Sequence, residues 1–69
     1  MSEQHPIDDR RPFPLVLRDW KDRHGYTLDQ ASGKLTWARR SVANALNGGA
    51  VVNERALRAL MTLIDEGRA

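Results

Sequence analysis

The sequence predicts an all-α fold, a compact domain of four to five helices, and three observations predict it. Apolar residues recur at helical spacing in separate windows. The edges of those windows carry start and stop chemistry: Pro14 and Gly25 around the first, Thr27 with Gln30 at the second, Gly48-Gly49 closing the third and Asn53 opening the fourth. The 69 residues include no cysteine. A chain this short removes only about 60% of its unfolded surface from water. Without disulfides or a thiolate metal site, it must be held by helix packing or self-association.

The domain is expected over residues 13–67. Residues 1–12 are polar, hold two prolines and lack periodicity, so they are expected to form a flexible N-terminal tail ending at the rigid Pro12-Phe13-Pro14. The first helix runs from Pro14 to His24, with Val16, Leu17 and Trp20 inward and Phe13 and His24 extending the stripe. Trp20 is expected as a core anchor and His24 as a helix-end residue facing open carbonyls. Thr27 and Gln30 form a capping box for the second helix, with Tyr26 stapling onto Ala31. Its inward face is Leu28, Ala31 and Leu35, with the small Ser32 at the margin. Gly33 either ends this helix or is carried inside it at a cost of about 1 kcal/mol. Thr36 is then expected to cap the third helix through its hydroxyl, with Trp37 in the first turn plugging the corner.

At 100° per residue, Ala38, Val42, Ala45 and Leu46 of the third helix share one arc, and Arg39, Arg40, Ala43, Asn44 and Asn47 share the other. In the fourth helix Asn53 is the expected cap, Val52 a staple onto Leu57, and Leu57, Leu60, Met61 and Ile64 the core stripe. Val51, Leu63 and Leu15 lie off the stripes, either as a dimer contact or as ordinary surface apolars.

Eleven Lys and Arg against nine Asp and Glu give a net charge of only +2, too small to establish a polyanionic partner. The distribution is more informative. From Lys34 to Gly49 there are three positive charges and no negative one, an arrangement that aims a locally positive face at phosphates. A solvated helix face usually mixes Glu with Lys; the third helix carries no carboxylate. Arg can grip guanine bidentately, Asn can grip adenine, and Ala43 can allow close approach or touch a thymine methyl. The reading is a helix-turn-helix entering double-stranded DNA.

The run Thr36–Gly48, TWARRSVANALNG, resembles the turn and recognition helix of the lac-repressor-type headpiece, roughly G-V-S-R-x-T-V-S-x-x-L-N-G. Arg39, Val42, Leu46, Asn47 and Gly48 match, Ser41 stands for the usual Thr and Ala38 for the usual Ser. Thr36 stands where that pattern has Gly. Thr27-Leu28 and Val52-Asn53-Glu54 are similar to the flanking helix openings, so the likeness spans about forty residues. The extra helix in front looks like the order of Cro and phage repressors (XRE-like), in which helices 2 and 3 of a small domain form the motif. The resemblance implies base contacts from Arg39, Arg40, Ala43 and Asn44, and phosphate contacts from Thr27, Thr36, Ser41 and Asn47. Arg10 and Arg11 are candidates for an arm into the minor groove or along phosphates.

The expected function is sequence-specific binding by a homodimer whose third helices enter successive major grooves about 34 Å apart, repressing transcription by operator occlusion in a phage or bacterial cytoplasm, at the nucleoid. The alternative is a protein-interaction module, an inhibitor or antitoxin-like partner. RNA is a weaker variant, because the aromatics are committed to packing. Catalytic residues, metal, cofactor and small-molecule ligand are not expected. There is no His-Cys-carboxylate cluster and no glycine-rich phosphate loop. The longest apolar runs are three residues, which excludes a spanning helix, and the N-terminus lacks a signal-peptide pattern.

Overall fold

The computed structural model describes residues 5–68. Four helices follow one another: α1, Phe13–His24; α2, Leu28–Leu35; α3, Arg39–Leu46; and α4, Glu54–Asp65. No strand occurs among the described residues, and no helix there is long and apolar enough to cross a membrane.

The core forms where the four stripes meet. Phe13, Val16, Leu17 and Trp20 of α1 are buried against Ala31 and Leu35 of α2, Val42 and Ala45 of α3, and Leu57 and Met61 of α4. Tyr26, Leu28, Trp37, Leu46, Val51, Leu60 and Ile64 pack around this centre. The small Ala31 and Ala45 are almost wholly covered, and α3 packs against both α1 and α2. Ala38, expected on the inward arc, is exposed because it precedes α3 as its extended N-cap residue.

Trp20 is the core anchor expected of it, with no exposed surface. Its ring meets His24 and Tyr26 edge-on at 5.4 and 5.2 Å, and those two rings stack at 4.9 Å. Its Nε1 is buried without a hydrogen-bond partner. His24 does not turn to the helix-end carbonyls. Its Nε2 lies 2.5 Å from Asp65 Oδ1 on α4, and Arg23 reaches the other oxygen at 3.0 Å.

One terminating device serves all four helices. A residue in the left-handed region follows the last turn, and the next amide bonds back to the carbonyl five residues earlier: Tyr26 to Lys21, Trp37 to Ser32, Gly49 to Asn44 and Arg68 to Leu63. Three of the left-handed positions are glycine. The fourth is Thr36, at φ 51° and ψ 45°. Thr36 therefore ends α2 and does not cap α3; Trp37 lies in the turn outside α3. A β-branched residue at positive φ is strained.

Gly33 is carried inside α2, exposed, and a Cβ there would meet nothing within 4 Å. Gly33→Ala is expected to stabilise the fold by about 1 kcal/mol through helix propensity. Thr36→Gly is expected to gain a similar amount, about 1 kcal/mol, by relieving left-handed strain. Each is checked by thermal unfolding, where about 1 kcal/mol corresponds to roughly 4–8 °C in a domain of this size.

At α4 the expected side-chain cap and staple do not form. Asn53 makes no capping hydrogen bond and Val52 is fully exposed. The N-terminal segment instead packs on the middle of the helix, at Arg58 and Thr62. Residues 1–4 lie outside the described residues, but 5–12 are not the free tail their composition suggests. Pro6 is fully buried and Asp9 is 8% exposed. Arg58 donates to the carbonyls of Pro6, Asp9 and Arg11 at 3.1, 2.5 and 3.0 Å, and Thr62 Oγ1 accepts from the Ile7 amide at 3.0 Å. Arg58 and Thr62, on α4 beside the apolar stripe, thus form a polar clasp.

Asp9 closes the clasp. The Arg11 side chain bonded to it, followed by the Arg11 amide and the charges of Arg11 and Arg58, holds its carboxyl below the ordinary 3.8, against the opposing effect of burial. A depressed folded value means that the stabilisation is fully present above about pH 4 and is lost as pH falls through the folded value. Asp9→Asn is expected to flatten acid-induced unfolding in that window. Carbon-13 titration of the Asp9 carboxyl in the wild type checks it; a midpoint at or above 3.8 would contradict the assignment.

Candidate nucleic-acid interface

The candidate surface is built from the mouth of α2, the following turn and the outer side of α3. Local sequence dictates each part. At the mouth of α2, the Thr27 hydroxyl accepts from the Gln30 amide at 3.2 Å and Gln30 Oε1 accepts from the Thr27 amide at 2.8 Å, the reciprocal box expected from the spacing. Thr27 is exposed, and its hydroxyl proton remains available to an outside acceptor.

The left-handed Thr36 then swings the chain so that α3 begins immediately after Ala38. No side chain caps α3 and no acid occupies its first turn. Its leading amides and the guanidinium groups of Arg39 and Arg40 therefore add in sign at one end.

Along α3 the inward residues are Val42 and Ala45. Arg39, Arg40, Asn44 and Asn47 are exposed, Ser41 and Ala43 half-buried, and Thr36 is exposed in the turn. The expected residues of 39–47 thus lie off the buried side of α3, while Thr36 sits ahead of the helix in the turn. Asn44 is shaped by its neighbour: a Cβ on Gly49 would collide with the Asn44 carboxamide, so a glycine there leaves the room that Asn44 occupies. Asn44 also borders a recess of about 180 Å³ with Trp37, Ser41 and Val51. Trp37 is half-buried at its wall, neither a sealed plug nor a free ring.

Two features were not legible beforehand. Asp29, the second residue of α2, places Oδ1 3.2 Å from Arg39 Nε. The third helix carries no carboxylate of its own, yet one from the neighbouring helix touches its first arginine. No spacing rule links positions in different helices, so no sequence signal could have found the pair. The second concerns the candidate arm. Arg11 is bonded to Asp9 and Asp19, and its carbonyl is held by Arg58. It is thus anchored to the domain, whereas Arg10 stays exposed at the rim of a wide depression of about 550 Å³ shared with Glu54 and Arg55.

Among the described residues no group of three His, Asp or Glu side chains is placed to hold a metal ion. No protein-family model matches the chain, and no characterised protein or solved structure matches it significantly. The class defined by the fold is that of small all-helical domains, with two eight-residue helices joined through a left-handed turn.

Proposed function

We propose that the protein is a sequence-specific double-stranded DNA-binding regulator that inserts α3 into the major groove. The observation that carries this reading is the outer side of α3, where Arg39, Arg40, Asn44 and Asn47 are exposed on a helix without a carboxylate. An α-helix with side chains is about 10–12 Å across, and the major groove is about 12 Å wide. Arg39, Arg40, Ala43 and Asn44 face bases in this arrangement; Thr27, Thr36, Ser41 and Asn47 lie where phosphates flank the groove. Two copies on a palindromic site would repress by occlusion, in the cell compartment that holds the DNA.

The test is an NMR titration of labelled protein with a random-sequence duplex at low and at higher salt. Salt-sensitive shifts at Thr27 and from Thr36 to Asn47 are the expected result, with affinity falling at a log-log slope of about −0.9 per phosphate neutralised. Absence of shifts in that stretch would overturn the proposal. The second reading, a module that covers another protein, is favoured by the exposure of Leu15, Val52 and Leu63. In that case salt dependence would be shallow and the affected residues would centre on those three.

A further inference from the structure

Resting on the DNA-binding reading, we propose that Asp29 is a positioning residue that presents Arg39 to a guanine and so sets specificity at one base pair. Arg39 is the first residue of α3 and Asp29 belongs to the first turn of α2, and the contact runs from Nε of the guanidinium to the carboxylate. That choice of nitrogen matters. A guanidinium has five N–H donors in a planar fork. Engagement of Nε leaves terminal N–H groups free, and the terminal pair is what meets guanine O6 and N7 bidentately.

A free arginine on an exposed helix end samples many rotamers, all of which must be surrendered when it docks on a base. The Asp29 contact removes much of that freedom in advance. Both side chains are more than half exposed, so the pair adds little to folding stability in water. Its effect grows where a groove displaces water and lowers the local dielectric. Meanwhile the carboxylate is repelled by phosphates. A negative charge on this surface weakens binding to every duplex, while a fixed Arg39 strengthens binding to one.

These two effects act in opposite directions, which separates positioning from simple charge. Asp29→Asn is expected to raise affinity for a random duplex at fixed salt about two- to threefold, since one repulsive charge near the phosphates is gone. Discrimination at the guanine read by Arg39 is expected to fall about tenfold, within the range that one bidentate contact provides. The experiment is selection from a randomised duplex pool with wild type, Asp29→Asn and Arg39→Gln, followed by anisotropy titrations of the selected duplex and its single-base variants. Thermal unfolding of each variant shows that the fold is kept. Relaxation by both variants at the same base pair is the expected result.

If the wild type selects a motif and Asp29→Asn keeps its preference at the Arg39 position, or raises specific and random affinities equally, the positioning role is overturned while DNA binding stands. If the wild type binds no duplex in a salt-sensitive way, both readings fall together.

Discussion

Arg58→Ala is expected to lower the unfolding free energy by about 3 kcal/mol, in the range found when one partner of a buried charge network is removed, and to release residues 5–11 from α4. The cost has several sources that act together. Arg58 is only 9% exposed and supplies donors to three backbone carbonyls of the N-terminal segment. Its Nε also bonds Glu54 at 3.2 Å, and its guanidinium lies 5.5 Å from the centre of the Phe13 ring. Truncation strands buried carbonyls, leaves the buried Asp9 carboxylate with one fewer positive neighbour, and opens space over Phe13. Urea unfolding followed by circular dichroism measures the total. Arg58→Met separates part of this, because it keeps an apolar stem of similar length but loses the donors, the positive charge beside Asp9 and the cation over the Phe13 ring. A loss of less than about 0.5 kcal/mol in Arg58→Ala, the range of ordinary surface substitutions, would show that the clasp contributes nothing. Amide exchange at Ile7 should quicken in both variants, since its bond to Thr62 Oγ1 belongs to the segment that the Arg58 guanidinium holds on α4.

The clasp also marks where sequence reading ends. All four helices and most of the core were legible, because a 3.6-residue stripe such as Val16, Leu17 and Trp20 reports burial directly. The Thr27–Gln30 box was legible for the same reason: both partners lie within one helical turn. Residues 5–12 have no stripe. Their fixation comes from Arg58 and Thr62, nearly fifty residues away or more, beyond the reach of any helical spacing rule.

The turn before α3 was misread for a different reason. A threonine ahead of a helix resembles an N-cap, and only the backbone reveals that Thr36 serves the helix behind it. Moving the start of α3 from the turn to Arg39 puts both arginines in its first turn. Their charges lie beside the leading amides of α3, and the expected Thr36 cap is absent.

The double substitution Arg39→Ala with Asn44→Ala is expected to weaken binding to the selected duplex by about 4 kcal/mol, taking about 1–3 kcal/mol for each lost base contact, while the fold stays within about 0.5 kcal/mol of the wild type. Both side chains are exposed and neither helps close the core, so stability and binding should separate cleanly. They stand five residues apart on α3, about 7.5 Å along its axis at 1.5 Å per residue. That is roughly two base-pair steps at about 3.4 Å each, far enough for the two to read different base pairs and for their losses to be nearly additive. Random-duplex affinity should fall less, because Asn44 carries no charge and the Arg39 charge lies beside Asp29. Arg40, for which no ion pair appears among the described residues, supplies the contrast. As a base contact, Arg40→Ala is expected to cost most on the selected sequence; an equal loss on all duplexes with the salt slope reduced by about 1 would reassign it to a phosphate. Anisotropy titrations of the three proteins across a salt series measure both quantities. Equal losses on selected and random duplexes for Arg39→Ala with Asn44→Ala would remove α3 from sequence reading and leave it, at most, a phosphate-binding helix.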